Sequence, residues 1–478
     1  MTQRYIIKKF LNIVTDTFFR KVIIIGKLPP RNGAVVIAGD HRNALVDGII
    51  MAAKSDREIR FIAKKGLFEI PIVRKILKIW KTIPVERRQD LPVDVKTNNK
   101  TSLINAINVL ENKGCIGIFP EGLSHSDTYI HPLKNGIVRI SIGALQNNKI
   151  NEVLIIPTGL NFINGEKFRS ECVIHYGDPI RVTKNDNPDE LLKTISDQLK
   201  KVAFHTPDKK SNELVETALQ LYLPTHRISA KDYVTTKKNF FITHSFIMND
   251  QNNNIDNYSK KMYNNVKKVY NDVYCEVEKY HDNLIKNNTT DSIIKNKITK
   301  MHIIPETIKL IGGIILFMPC GIMNLPNIVA TRLIIQNFVS PINFKKEDNN
   351  NLVLWRRKFG YDMISTIKIG SFLTTSIITY TAYGCIAYVY IPEYITLLNI
   401  TYSSGFLIGT SFFGIKGYEV IKKSIQSINN ILNIPNKTII EQLTLQRQNL
   451  PNKIRDVVDI VCDKYGDTYG IKRNYNKK

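Results

Sequence analysis

Three long stretches in the last third of the chain carry no charged residue: 310–331, 369–392 and 394–415. Each exceeds the ~18–20 residues that an apolar helix needs to cross the hydrocarbon core of a bilayer. Any fold must therefore give these segments somewhere apolar to lie. Only Glu393 separates the second from the third, which predicts a tight spanning hairpin with both open ends on one side. Those ends are basic, with Arg356, Arg357, Lys358 and Lys368 before and Lys416, Lys422 and Lys423 after. The positive-inside bias puts both in the cytosol. The first stretch differs. Lys297, Lys300 and Lys309 precede it, Arg332, Lys345 and Lys346 follow, and Pro319, Gly321 and Pro326 interrupt it. A single crossing would leave one basic flank on the wrong side, so a re-entrant or interfacial hairpin is expected. A spanning helix kinked at Pro319 is the alternative.

The amino-terminal part follows another rhythm. Short β-rich runs at 22–25, 34–38, 59–63, 115–119 and 153–157 alternate with stretches of helical periodicity such as 102–111 and 137–145. That pitch predicts an α/β domain with a central sheet, running to about residue 205, with its site at the carboxyl ends of the strands. Ahead of the sheet, Ile6, Ile7, Phe10, Leu11, Val14 and Phe18 recur at helical spacing. They mark an amphipathic helix, either packed on its own domain or lying in a headgroup layer. Lys8, Lys9, Asp16, Arg20 and Lys21 break every apolar run there, so no secretory leader is expected. Residues 206–305 are polar and rich in Lys and Asn, with helical periodicity at 214–222 and 258–284 and loop insertions such as 252–254. A membrane section over 306–420 and a cytosolic helical tail over 421–478 complete the expected division.

Lys plus Arg number 67 against 42 for Asp plus Glu, a net charge of +25 that calls for an anionic partner. Nucleic acid is not expected in that role, because the basic residues are not interleaved with aromatics and no known module appears. The cysteines stand far apart with no CxxC pair, which excludes a zinc ribbon and a disulfide framework and favours a reducing, cytosol-facing location.

Three clusters carry chemistry. Gly39-Asp40-His41-Arg42 follows the 34–38 run, with Asp47 six residues after His41. A carboxylate at that distance can hold one ring nitrogen protonated while the other takes a proton from a hydroxyl. Arg60-Phe61-Ile62-Ala63-Lys64-Lys65-Gly66-Leu67-Phe68 ends in paired lysines suited to a phosphate, and Lys134 and Arg139 lie downstream of them. Phe119-Pro120-Glu121-Gly122-Leu123-Ser124-His125 forms a tight turn after a strand, presenting Glu121 at the rim of the sheet. Ser124 is not read as a nucleophile, since the second glycine of a G-x-S-x-G elbow is missing.

Taken in order, His41 to Asp47, 61–68, 119–124 and Ile156-Pro157-Thr158-Gly159-Leu160-Asn161 resemble the four sequence blocks of the glycerolipid acyltransferase superfamily. Tyr176-Gly177-Asp178-Pro179-Ile180 is similar to the stretch that closes that domain. Two departures point to a subgroup. Five residues rather than four separate His41 from Asp47, and Ser124 stands where the family has arginine, with His125 next. Both resemble the eukaryotic enzymes that acylate glycerol-3-phosphate and dihydroxyacetone phosphate, as does the stretch 318–326.

The resemblance implies an α/β acyltransferase domain, a central mixed sheet flanked by helices, followed by a helical region and a membrane-embedded helical section. It further implies a glycerol-3-phosphate O-acyltransferase drawing on acyl-CoA as co-substrate, with no metal and no resident cofactor. His41 would be the base and Asp47 its orienting carboxylate. Lys64, Lys65, Glu121, Gly122, Ser124 and His125 would bind substrate. The expected partners are acyl-CoA, glycerol-3-phosphate or dihydroxyacetone phosphate, and membrane lipids. The expected location is the endoplasmic reticulum or an equivalent internal membrane, with the catalytic domain facing the cytosol. A lysophosphatidate acyltransferase and a catalytically silent membrane scaffold are the alternatives.

Overall fold

The computed structural model describes residues 3–69, 71–91, 97–125, 127, 129–163, 167–205, 209–223, 229–248, 257–338, 364–390 and 397–469. Its strands are β1 (Phe19–Ile25), β2 (Val35–Gly39), β3 (Ile59–Lys64), β4 (Ile83–Val85), β5 (Cys115–Ile118), β6 (Val153–Ile163), β7 (Ser170–Tyr176) and β8 (Ile180–Val182). They form one sheet in the order β1-β7-β6-β2-β5-β3-β4, with β8 added on β6. The sheet is mixed: β2 runs parallel to β5 and β6, whereas β6 is antiparallel to β7 and β8. The uninterrupted Val-Val-Ile-Ala run of β2 is buried at every position, as a central strand covered on both faces requires.

The helices of this part are α1 (Gln3–Phe18), α2 (Leu45–Lys54), α3 (Pro71–Ile79), α4 (Lys100–Glu111), α5 (Gly136–Gly143) and α6 (Pro188–Val202). Leu110 of α4, Ile137 of α5 and Ile195 of α6 join Val36, Ile116 and Ile155 of the sheet in one apolar core. α6 starts where it does because the Asn187 side chain accepts the N–H groups of Asp189 and Glu190, with Pro188 in the first turn. α1 buries Val14 and Phe18 and ties itself to α2, Asn12 Nδ2 donating to the Ala53 carbonyl at 3.0 Å. Tyr5, Ile6, Phe10 and Ile13 stay exposed, so both faces foreseen for this helix exist on it.

All five anticipated β-rich runs overlap strands, while β4, β7 and β8 were not foreseen. β4 contains Pro84 and sits at the end of the sheet, the position where a strand tolerates a residue without an N–H.

The chain divides into two compact units, one drawn from residues 1–209 with 228–241, the other from 210–227, 242–337 and 367–478. The second unit is helical. Its elements are α7 (Lys209–Tyr222), α8 (Ala230–Met248, shared with the first), α9 (Asn257–Lys286), α10 (Asp291–Lys295), α11 (Ile303–Met323), α12 (Leu325–Phe338), α13 (Ile364–Tyr390), α14 (Leu397–Leu432) and α15 (Lys437–Tyr469). α11 and α14 approach closely at Gly417, where a Cβ would lie 2.6 Å from the Phe317 backbone nitrogen.

The first charge-free stretch is interrupted once, between α11 and α12. The backbone passes through Pro319 as continuous helix, and the break comes at Asn324. There the backbone N–H and Nδ2 of Asn324 both donate to the Cys320 carbonyl, ending α11. Pro326 falls in the first turn of α12, where a missing N–H costs nothing. Among the described residues one helical stretch, Lys300–Met323, is long and apolar enough to cross a membrane, with a mean hydropathy of 1.6. The turn anticipated at Glu393 lies outside the described residues. Cys115, Cys172, Cys275, Cys320 and Cys385 are free thiols.

Candidate active site

β2 stops at Gly39, and the chain turns through His41 into α2. Ala44, at the head of that helix, takes a left-handed φ of 46°, which folds the turn back on itself. Asp47, in the first turn of α2, is fully buried and lies 2.8 Å from His41, Oδ2 to Nδ1. The same oxygen accepts the Asn43 N–H at 2.9 Å. Burial raises the Asp47 carboxyl above its usual range, and the hydrogen bond and charge of His41 work against that rise. With Nδ1–H donating to Asp47 Oδ2, Nε2 is left as the basic nitrogen. Phe119 stacks flat on the imidazole, ring centres 4.1 Å apart and 10° from parallel, and Phe61 extends the stack at 6.4 Å from Phe119.

Glu121 sits just past β5, the strand beside β2. It is buried, and both of its oxygens are engaged: Oε1 accepts the His41 N–H at 3.2 Å, and Oε2 accepts the His131 N–H at 2.7 Å and faces His125 Nε2 at 2.7 Å. Burial alone would push this carboxyl up. The His125 bond and charge and the two amides outweigh it and hold the group below the ordinary range. Gly122 carries the turn at a φ of 72°, with the Lys134 side chain against its open side. Ser124 is half-buried next to His125, whose N–H donates to the His41 carbonyl at 3.1 Å. The third block is thus tied directly to the first.

The lysines are less alike than their adjacency suggests. Lys64 ends β3 and is exposed. β5 lies between β3 and β2, so the ends of those two strands are about 10 Å apart across the sheet. Lys65 begins a short 3-10 turn and pairs with Glu86 at 3.0 Å, which with the Asn98 N–H holds the Glu86 carboxyl down.

Two groups were missed in the sequence. Asp40, beside His41 in the same motif, is buried and accepts the Leu160 N–H at 2.6 Å and Arg42 Nε at 3.1 Å. Burial pushes its carboxyl up to about 7, against the opposing pull of Arg42. Asp40 thereby fastens the first block to the fourth, and Asn161 of the fourth fastens the segment after α6 through Val202 and Phe204. His131 was likewise unread, ten residues after Glu121 and held to it only by its own backbone amide.

The α/β domain with a His–Asp pair at the carboxyl end of its central strand is similar to acyltransferases: residues 21–161 match the Acyltransferase family model. At the level of individual proteins, the chain is 26% identical over 398 residues to glycerol-3-phosphate O-acyltransferase 2 of Saccharomyces cerevisiae, covering 78% of this chain and 50% of that one. It is 27% identical over 374 residues to glycerol-3-phosphate O-acyltransferase 1 of the same yeast, covering 73% and 46%. The chain spans about half the length of the curated relatives it matches. Among solved structures, the 1-acyl-sn-glycerophosphate (LPA) acyltransferase PlsC of Thermotoga maritima aligns at 18% identity over 41% of this chain and 77% of that one, with a TM-score of 0.32. A likeness that low bears on neither fold nor function.

Proposed function

We propose that the protein transfers a fatty acyl group from acyl-CoA to the primary hydroxyl of glycerol-3-phosphate at the cytosolic face of an internal membrane, accepting dihydroxyacetone phosphate as well. The observation that carries this reading is the 2.8 Å contact between His41 Nδ1 and a buried Asp47. The two yeast relatives named as glycerol-3-phosphate acyltransferases support the choice of acceptor.

His41 Nε2 takes the proton of the acceptor hydroxyl while Asp47 holds Nδ1–H and steadies the imidazolium. The hydroxyl oxygen bonds to the thioester carbonyl carbon, and the C–S bond breaks. The thiolate of coenzyme A leaves with the proton that His41 returns. No covalent enzyme intermediate, resident cofactor or metal enters these steps. Base assistance of this kind is worth roughly 10²–10⁴-fold, and holding two substrates together supplies much of the remainder. Lys64 and Lys134 hold the phosphate, with Lys65 a weaker contributor because Glu86 competes for it. Glu121 and His125 order the loop that carries Gly122 and Ser124 against the acceptor.

Residues 1–205 supply the chemistry in this reading, and 206–305 connect them to a membrane section at 306–420 that precedes the tail at 421–478. α11 is the anchor best supported, and the net charge of +25 draws the protein to anionic lipid and to its anionic acceptor. The test is a panel of glycerol-3-phosphate, dihydroxyacetone phosphate and lysophosphatidate with labelled acyl-CoA, run on wild type and His41→Ala. Product from glycerol-3-phosphate that disappears in the variant is expected. Activity confined to lysophosphatidate would move the acceptor, and product surviving His41→Ala would remove the base.

A further inference from the structure

The loop between β5 and α5 gathers a second set of ligand-type side chains that the acyl-transfer reading does not use as ligands. His125, Asp127 and His131 each offer one donor atom, and the three atoms lie within 4.8 Å of one another. Asp127 Oδ2 is 2.8 Å from His131 Nε2 and 3.8 Å from His125 Nδ1. Three donors bound to one zinc ion at ~2.0–2.1 Å in tetrahedral directions stand about 3.3 Å apart. These two spacings bracket that value, and the third pair lies within 4.8 Å.

The protonation of His125 is already arranged for such a role. Its Nε2 faces Glu121 Oε2 at 2.7 Å, and its Nδ1 faces the Asp127 backbone N–H at 3.2 Å. A backbone N–H aimed at Nδ1 makes Nδ1 the acceptor nitrogen and Nε2 the one that carries the proton, and a metal ion would take the place of that N–H at the Nδ1 lone pair. A buried carboxylate that fixes one ring nitrogen while the other faces further donors is how proteins orient a metal-binding imidazole. The side chains of Asp127 and His131 are 46% and 23% exposed, which leaves an entry path and an open fourth position for water.

We propose that His125 Nδ1, Asp127 Oδ2 and His131 Nε2 bind one divalent transition-metal ion, and that this ion locks the loop holding Glu121. Two neutral imidazoles and one carboxylate make zinc the best-suited class of ion. The ion acts on loop order and not on the thioester, so the proposal stands apart from the choice of acyl donor or acceptor.

The full chain, carrying an affinity tag without histidines, is stripped with a chelator, dialysed and titrated with zinc against a chromophoric competitor. One equivalent is expected to bind, raising the temperature of the thermal transition. His131→Ala and the isosteric Asp127→Asn are each expected to weaken binding at least tenfold, with circular dichroism unchanged. His302→Ala, an exposed histidine of the helical unit, is expected to bind as wild type. Absence of stoichiometric zinc in the wild type would overturn the proposal. Undiminished affinity in Asp127→Asn and His131→Ala would overturn it equally.

Discussion

His41 Nδ1 and Asp47 Oδ2 stand 2.8 Å apart, and the turn that joins them bends through a left-handed Ala44. Five residues separate them, and the turn bends back before α2 begins, which brings the two side chains together. The carboxyl group arrives from the first turn of a buried helix, so its position is set by the fold.

Asp47→Asn keeps the shape of the pair but replaces an acceptor-only group with an amide. The imidazole then loses the partner that fixes its tautomer. Turnover is expected to fall by about 10²–10⁴-fold. His41→Ala should fall comparably, and the double variant should lose little more, because the two act as a unit. Steady-state rates of the three variants with labelled acyl-CoA check this.

Asp40 predicts a pH dependence of stability. Its carboxyl titrates at about 7 in the folded chain and near 4 when unfolded. Between those values the folded state holds the extra proton, so stability falls as pH rises from about 4 to about 7 and is level above. Asp40→Asn, neutral throughout, should flatten that slope by a few kcal/mol across the window, at about 1.4 kcal/mol per unit. Thermal transitions recorded from pH 4 to 8 on both proteins are the measurement.

Gly122→Ala places a Cβ on a backbone with a φ of 72°. The conformational cost is roughly 1–2 kcal/mol. The flexible end of Lys134 can move aside, so strain in the turn dominates over the clash. A lower melting temperature is expected together with reduced activity, since Pro120 to Gly122 presents the whole third block.

The lysines should separate in kinetics. Lys64→Ala and Lys134→Ala are expected to raise KM for the phosphate acceptor about tenfold or more, the worth of a hydrogen bond to a charged group. Lys65→Ala should do less, because Glu86 already holds that ammonium. Glu86→Gln, which releases Lys65, should lower KM slightly.

Ile311 and Ile315 project from α11 into the open. Replacing both with Asp costs roughly 2.5–3.5 kcal/mol each if the helix lies in a bilayer. The variant is expected to leave the floated, vesicle-bound fraction of a vesicle flotation assay. Unchanged partitioning would remove α11 as the anchor.

Much of this molecule is written locally. Apolar runs such as Val35 to Ala38 can be little else than buried strands, and the spacing of His41, Asp47 and Glu121 around strand ends marks a candidate site from sequence alone. The charge-free run at 310–331 likewise announces an apolar environment by length alone. Other features depend on what the chain folds against. Glu121 and Lys65 read as two substrate-facing charges, and only folding supplies the three donors that occupy the first and the Glu86 carboxylate that occupies the second. Asp40 looks like an ordinary carboxylate until burial against Leu160, distant in sequence, shifts it to about 7. Residue type and spacing fix which groups are available, because propensity and periodicity act over a few residues. Which of those groups remain free, charged or close to one another is decided by partners from other strands, since desolvation and hydrogen bonding act through space.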